Sequence, residues 1–240
     1  MTKALFKKIK MYVKPKYLIK SKVKWCCCCE KKTLHLRMNE ADEFYICLRC
    51  KANIRYDKLA ECINELGDLS DKVIVEFDTR SPLYNKLKKY DNYTRTFFNP
   101  EIEWGHVQKD GTRCEDITAM TFDNESVDLM ISSDVLEHVT DVEKAFSECE
   151  RVLKSGGKHI FTIPMYDGDT RRRAIVENGE IKHLLPEHYH CDPSGNGFIL
   201  AFYDFGMDLA EKYSTDKLKI SVLKGPFGDD GKIVWCAEKL

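Results

Sequence analysis

The chain lacks any uninterrupted apolar run near the ~18 residues that a membrane-spanning helix requires, and its first residues lack the apolar centre of a secretory signal. These two absences lead to the expectation of a cytoplasmic protein. Low-complexity linkers and internal repeats are also missing. Acidic side chains are absent from residues 1–25, which carry nine lysines. The remainder then holds 29 basic against 39 acidic side chains, a balance of −10 hidden beneath a net charge of −1. An acidic body argues against nucleic acid as the main partner.

What is present is enough for one α/β domain with a small appendage, since 43% of the residues are hydrophobic and 32% charged. The basic segment 1–24 spaces Leu5, Phe6, Ile9, Tyr12 and Val13 along one helical face until Pro15. That pattern suits weak contact with an anionic membrane surface, although a solvated basic tail explains it as well. Eleven cysteines would be out of place as disulfides in a reducing compartment, and their clustering points to metal. Cys26, Cys29, Cys47 and Cys50 form two CxxC pairs separated by 17 residues, with Cys27 and Cys28 able to substitute in an altered register and His35 a weaker candidate in the intervening loop. Each pair can present two thiolates from one turn, and four thiolates close a tetrahedron around structural zinc with no position left for catalysis. Glu30 and Lys51 stand where such turns usually carry glycine. The metal module is expected over 25–56, with a larger domain over 57–240.

Within that larger domain the rhythm alternates. "DKLAECINEL" puts Leu59, Cys62, Ile63 and Leu66 on one helical face, and "KVIVEF" reads as a buried strand. "SPLYNKLKKY" reads as a helix capped by Ser81 with Pro82 in its first turn. "VDLMIS" is a second buried strand, and Thr140 to Glu143 has a capping-box pattern opening a helix that buries Val142, Ala145, Phe146, Cys149, Val152 and Leu153. "KHIFTIP" is a further strand, and the C-terminal "KLKISVL" and "KIVWCAEK" flank a glycine-containing turn. Alternating strands and helices imply a Rossmann-like, doubly wound, mostly parallel sheet ending in an antiparallel hairpin.

The stretch "CEDITAMTFDNESVDLMISSDVLEHVTDVEKAFSECERVLKSGGKHIFTIP" resembles the middle of class I S-adenosylmethionine-dependent methyltransferases of the type 11 kind. "YICLRCKANIRYDKLAEC" resembles the cysteine-pair module that precedes the catalytic domain in some of them. The resemblance implies that S-adenosylmethionine lies against Glu76, Phe77, Asp78 and Thr79 after the first strand, Asp116 and Ile117 after the third, and Ser132, Ser133 and Asp134 after the fourth. Two features depart from the family. The first loop, Glu76 to Ser81, contains no glycine, and the end of the second strand offers Thr96, Phe97 and Asn99 where the family has an acid for the ribose.

"KHLLPEHYHCDP" concentrates His183, His188, Tyr189, His190 and Asp192 in a region that covers the acceptor pocket in this family. His190, His188 and His138 are the candidate catalytic groups, because an imidazole can take a hydroxyl proton near neutral pH. The expected activity is O-methylation of a small molecule or saccharide. The alternative is a catalytically degenerate methyltransferase-like domain acting as a zinc-containing binding module. A zinc-dependent nucleic-acid binder is a third reading, opposed by the acidic body.

Overall fold

A computed structural model describes residues 15–191, 197–228 and 231–240. The apolar positions of the basic segment and Asp192 lie outside these residues. Backbone proximity groups the chain into two compact units, one from Met1–Ser70, Arg80–Asp91 and Lys224–Lys232, the other from Asp71–Thr79, Asn92–Leu223 and Ile233–Leu240.

In the first unit, a helical turn α1 (Pro15–Leu18) leads into an antiparallel sheet of β1 (Lys22–Cys26), β2 (Lys31–Arg37) and β3 (Tyr45–Cys47). The basic segment expected over 1–24 thus ends inside a strand. Helix α2 (Ile54–Glu65) starts at Asn53, whose side chain accepts the Tyr56 amide at 3.2 Å. It buries Leu59, Cys62 and Ile63 as its spacing predicts, while Leu66 is only its C-terminal cap. The expected boundary at residue 57 cuts this helix. Asp57 on the same helix accepts the Cys27 amide at 2.6 Å and pairs with Lys24 at 3.3 Å, so the helix is part of the cysteine module. Two further segments of chain join that unit through ion pairs. Lys86, nearly buried, meets Glu30, and Lys224 meets Glu61 at 2.6 Å and Glu65 at 3.0 Å.

Lys86 lies on α3 (Tyr84–Leu87), which is one turn rather than the longer helix expected. Ser81 caps nothing helical there. Its hydroxyl accepts the Leu83 amide at 3.0 Å in a local turn before the helix begins. The three lysines in Lys86–Lys89 give the segment like charges at short spacing, and the following residues run on as turns.

The second unit is built on a seven-stranded sheet. Its strands are β4 (Ile74–Glu76), β5 (Tyr93–Phe97), β6 (Arg113–Cys114), β7 (Val127–Ser133), β8 (Leu153–Thr162), β15 (Leu218–Phe227) and β16 (Lys232–Lys239), in the order β15-β16-β8-β7-β4-β5-β6. All pairs from β8 to β6 are parallel, and β16 runs antiparallel to β8. The centre is covered on both faces, which is why β4 and β7 read as near-continuous apolar runs. Helix α4 (Val142–Val152) lays Val142, Ala145, Phe146, Cys149 and Val152 into the core, as expected. Its cap is Asp141, not Thr140: Asp141 has extended backbone and accepts the Lys144 amide at 2.9 Å. Leu153 is buried as expected but opens β8 instead of closing the helix. Phe146 packs on Phe161 at 5.9 Å and on Tyr213 of α5 (Leu209–Tyr213) at 5.5 Å between ring centroids. Burying such a phenyl ring stabilises the fold by about 2–3 kcal/mol.

Between β8 and α5 the chain folds into three small antiparallel ribbons that the sequence pattern does not reveal. β10 (Ala174–Glu177) pairs with β11 (Glu180–His183), β12 (Tyr189–Cys191) with β13 (Phe198–Leu200), and β9 (Arg171–Arg172) with β14 (Tyr203–Asp204). Among the described residues no helix is long and apolar enough to cross a membrane.

Candidate functional site

The parallel registers determine which residues share an edge. Glu76 of β4 lies opposite Ile131 of β7, the Phe77 amide donates to the Ile131 carbonyl at 2.8 Å, and Ser132, Ser133 and Asp134 follow directly. On the other side Phe97 of β5 pairs with Cys114 of β6, and the Glu115 amide donates to the Phe97 carbonyl at 2.9 Å, so Asp116 and Ile117 follow on the same edge. The candidate cofactor residues, 76 to 79, 116 to 117 and 132 to 134, therefore converge at the carboxyl ends of parallel strands, where open α/β sheets hold ligands.

Their side chains do different things there. Glu76 is 1% exposed and its carboxylate accepts the Tyr93 hydroxyl, while its carbonyl accepts Thr96 Oγ1 at 3.3 Å. The glycine-free loop after it is held by Arg95, which donates to the Thr79 carbonyl at 2.9 Å. Asp116 accepts both the amide and the hydroxyl of Thr118, at 2.8 and 2.7 Å, so one of its oxygens shapes its own turn. Buried Glu115 fastens that turn by accepting Arg113 Nε at 2.6 Å and the Thr121 amide at 2.9 Å. Ile117 is buried beside it. The Ser132 hydroxyl faces the core, 2.9 Å from His159 Nε2, leaving its backbone at the edge. Asp134 has φ 53°, a left-handed conformation that aspartate tolerates. Its amide donates to the Thr162 carbonyl at 2.9 Å and its carboxylate accepts the Thr162 hydroxyl at 3.1 Å, with Ser133 Oγ also 3.1 Å from that hydroxyl. At the end of β5, exposed Phe98 stacks on Trp104 at 5.4 Å, and Asn99 accepts the Glu101 amide at 3.0 Å.

The three candidate histidines come together although they are 52 residues apart. His138, on a short 3-10 turn after β7, donates from Nδ1 to the Leu200 carbonyl at 2.9 Å, which leaves Nε2 facing His190 Nδ1 at 3.3 Å. The His188 ring stands edge-on to His190, 5.0 Å between centroids. Burial, with the neighbouring histidines adding to it, pushes the His138 imidazole down to about 4, and burial lowers His188 as well. Two buried carboxylates accompany them. Glu137 lies 3.6 Å from His190 and 3.7 Å from His138, and Asp204 lies 3.8 Å from His188. Tyr166 reaches 3.5 Å from His188. Glu137, Asp204 and Tyr166 were not among the expected site residues. A glutamate between apolar Leu136 and a histidine is a visible signal for the first, but Asp204 sits in an aromatic stretch with none. His183 is elsewhere, 3.5 Å from Glu187. The triple arginine holds the fold together: Arg171 and Arg173 both pair with Asp204, and Arg172 lies over the Tyr203 ring and donates to the Thr140 carbonyl.

In the first unit the sulfur atoms of Cys26, Cys29, Cys47 and Cys50 lie within 4.8 Å of one another, with Cys26 to Cys50 at 3.5 Å and Cys29 to Cys47 at 3.9 Å. Zinc–sulfur bonds of about 2.3 Å make a tetrahedron with edges of roughly 3.8 Å, so the four thiols fit that ion. Glu30 and Lys51, the residues following each pair, have φ 51° and 66°. The turns thus keep the left-handed conformation usually assigned to glycine. Cys28 is buried beside Cys26 and Cys50, and its thiol donates to the Tyr56 carbonyl at 3.1 Å.

Residues 91–161 match the family model described as a methyltransferase domain. Among curated proteins, the chain is similar to a ubiquinone biosynthesis O-methyltransferase of Coxiella burnetii, 30% identical over 78 residues, which is 32% of this chain and 33% of that protein. It is also similar to a sarcosine/dimethylglycine N-methyltransferase of Aphanothece halophytica, 44% identical over 46 residues, 19% of this chain and 17% of that protein. The alignment thus spans about a third or less of these relatives. Among solved structures, the glycopeptide N-methyltransferase MtfA complexed with S-adenosyl-L-methionine aligns at a TM-score of 0.50 and 13% identity, over 78% of this chain and 94% of that one. A proposed S-adenosylmethionine dependent methyltransferase from Listeria monocytogenes aligns at 0.50 and 12%, over 75% and 96%. Residues 91–161 thus resemble a methyltransferase domain, and the chain has the fold of the S-adenosylmethionine-dependent methyltransferases.

Proposed function

We propose that this protein is an S-adenosylmethionine-dependent methyltransferase acting on a hydroxyl of a small molecule or saccharide, with a structural zinc in its cysteine module. The observation that carries the reading is the convergence of Glu76, Asp116 and Asp134 at one edge of the parallel strands, with His138 on the turn that follows Asp134. S-adenosylmethionine would supply a methyl group already activated on a sulfonium, so the protein's task is to align the acceptor and take its proton. The Glu76-to-Thr79 loop, Asp116 with Ile117, and the Ser132-to-Asp134 backbone would hold the donor. His190, with His188 and His138 beside it, would receive the hydroxyl proton while the oxygen–carbon bond forms and the carbon–sulfur bond breaks. The four thiolates fill a tetrahedral zinc and leave no open position for chemistry.

The loop without glycine and the missing acid at the end of β5 predict weak donor binding. Loss of charge-assisted hydrogen bonds to the ribose costs roughly 1.5–3 kcal/mol, about one to two decades of affinity. Calorimetric titration of S-adenosylmethionine checks this: binding is expected, weakened further by Asp116→Ala, while His190→Ala spares donor binding and slows methyl transfer. No heat and no thermal shift at millimolar donor would favour the degenerate binding module. Glu76 and Asp116, each with an oxygen already committed within the protein, are what that second reading would explain.

A further inference from the structure

Glu137, His138 and His190 offer one ligand atom each, and these three atoms form a nearly regular triangle with sides of 3.3, 3.6 and 3.7 Å. One face of a tetrahedron with metal–ligand bonds of about 2.0–2.2 Å has edges of roughly 3.4 Å. The triangle is therefore of the size that a divalent ion requires, without rearrangement of the strands.

The surroundings fit as well. A ligating histidine commonly donates its other ring N–H to a backbone carbonyl, which fixes the tautomer and aims the free nitrogen at the ion. His138 makes that bond to Leu200 at 2.9 Å. Glu137 is anchored through its own carbonyl, which accepts the Phe202 amide at 2.7 Å, and its side chain is 1% exposed. His190 is held on β12, whose partner strand β13 supplies the Leu200 carbonyl, and its side chain is 24% exposed. The outer side of the triangle is thus the accessible one.

We propose that Glu137, His138 and His190 bind a divalent first-row transition ion. Two imidazoles and one carboxylate with further positions open is a donor set for iron, manganese, cobalt or zinc rather than for calcium. The open positions would take water or, on the methyltransferase reading above, an oxygen of the acceptor; with the ion bound, His190 is a ligand and His188, 5.0 Å away between ring centroids, is the histidine left to take the hydroxyl proton. Ion binding itself does not depend on that reading.

Manganese(II) is the probe, because it favours nitrogen and oxygen donors over thiolates and so does not report on the cysteine cluster. Full-length protein is titrated while the electron paramagnetic resonance signal of free Mn2+ is followed. About one ion per chain should be bound by the wild type. His190→Ala, at a partly exposed position, should weaken binding roughly ten-fold or more, as should the shape-conserving Glu137→Gln. His183→Ala, outside the triangle, should bind as the wild type. Circular dichroism of each variant confirms that it is folded. An unchanged signal with wild type at millimolar Mn2+, equal binding by His190→Ala, or equal loss in His183→Ala overturns the site. S-adenosylmethionine titrated into the same samples separates the two readings: donor binding without metal binding removes only this site, and metal binding without donor binding removes only the methyltransferase reading.

Discussion

Lys51 and His159 show how much a single position determines. Lys51 has φ 66° at the end of the second cysteine turn, where a side chain with Cβ is strained and glycine is not. Lys51→Gly should therefore raise stability by about 0.5–1 kcal/mol, and Lys51→Val should lower it, as read from thermal midpoints of the metal-loaded protein. His159 is fully buried between Ser132 Oγ at 2.9 Å and Cys149 Sγ at 3.5 Å, and burial pushes its imidazole down to about 3. Above pH ~6.5 it is neutral folded and unfolded, so it adds no pH dependence. Below that value the unfolded chain takes up the proton first, so stability falls with falling pH by up to about 1.4 kcal/mol per unit until the folded imidazole titrates. Replacing His159 with glutamine should flatten the loss between pH 6.5 and 4 in denaturant titrations, at some cost in stability at neutral pH.

Helix α4 turns on where its cap lies. Thr140 and Glu143 satisfy the capping-box spacing, yet the carboxylate one residue later accepts the Lys144 amide. Asp141→Ala should cost about 1 kcal/mol and Thr140→Ala only a few tenths, because the hydroxyl of Thr140 has no part in the cap. Equal effects of the two in chemical denaturation would return the cap to Thr140. Element by element, the legible parts were those with a strong period. The buried runs of β4 and β7, the α4 stripe and the C-terminal strand pair could all be read from apolar spacing. The ribbons between β8 and α5 could not, since β9, β12, β13 and β14 are two or three residues long and too short for alternation to register. The candidate site follows the same division. Glu76 and Ser132 to Asp134 lie where the apolar runs of β4 and β7 end, whereas Asp116 and Ile117, after the two-residue β6, were indicated by the family resemblance and not by spacing. Glu137 beside His138 was visible in the sequence, but the meeting of that pair with His190, and the part played by Asp204, depends on those ribbons and could not be read from spacing.

At the scale of the molecule, zinc is the first quantity to measure. Protein purified without added metal should hold about one zinc per chain by elemental analysis, and a Cys47→Ser, Cys50→Ser double variant should lose it. Zinc retained by that variant would mean a different ligand set. Removal by a chelator should lower the thermal midpoint, because binding free energy of a structural ion is folding free energy.

The cysteine unit is assembled from three separated stretches of chain, Met1–Ser70, Arg80–Asp91 and Lys224–Lys232. Lys86 pairs with Glu30, and Lys224 with Glu61 and Glu65. During synthesis, the four clustered cysteines emerge long before the last of these stretches. The early module must then wait on the ribosome without Lys224; until that residue is made, Glu61 has only Lys58 of its own helix, at 2.7 Å, and Glu65 lacks the lysine that meets it in the finished unit. A fragment cut at residue 70 stays in that unfinished condition permanently, lacking one stretch that follows it closely and one that comes last.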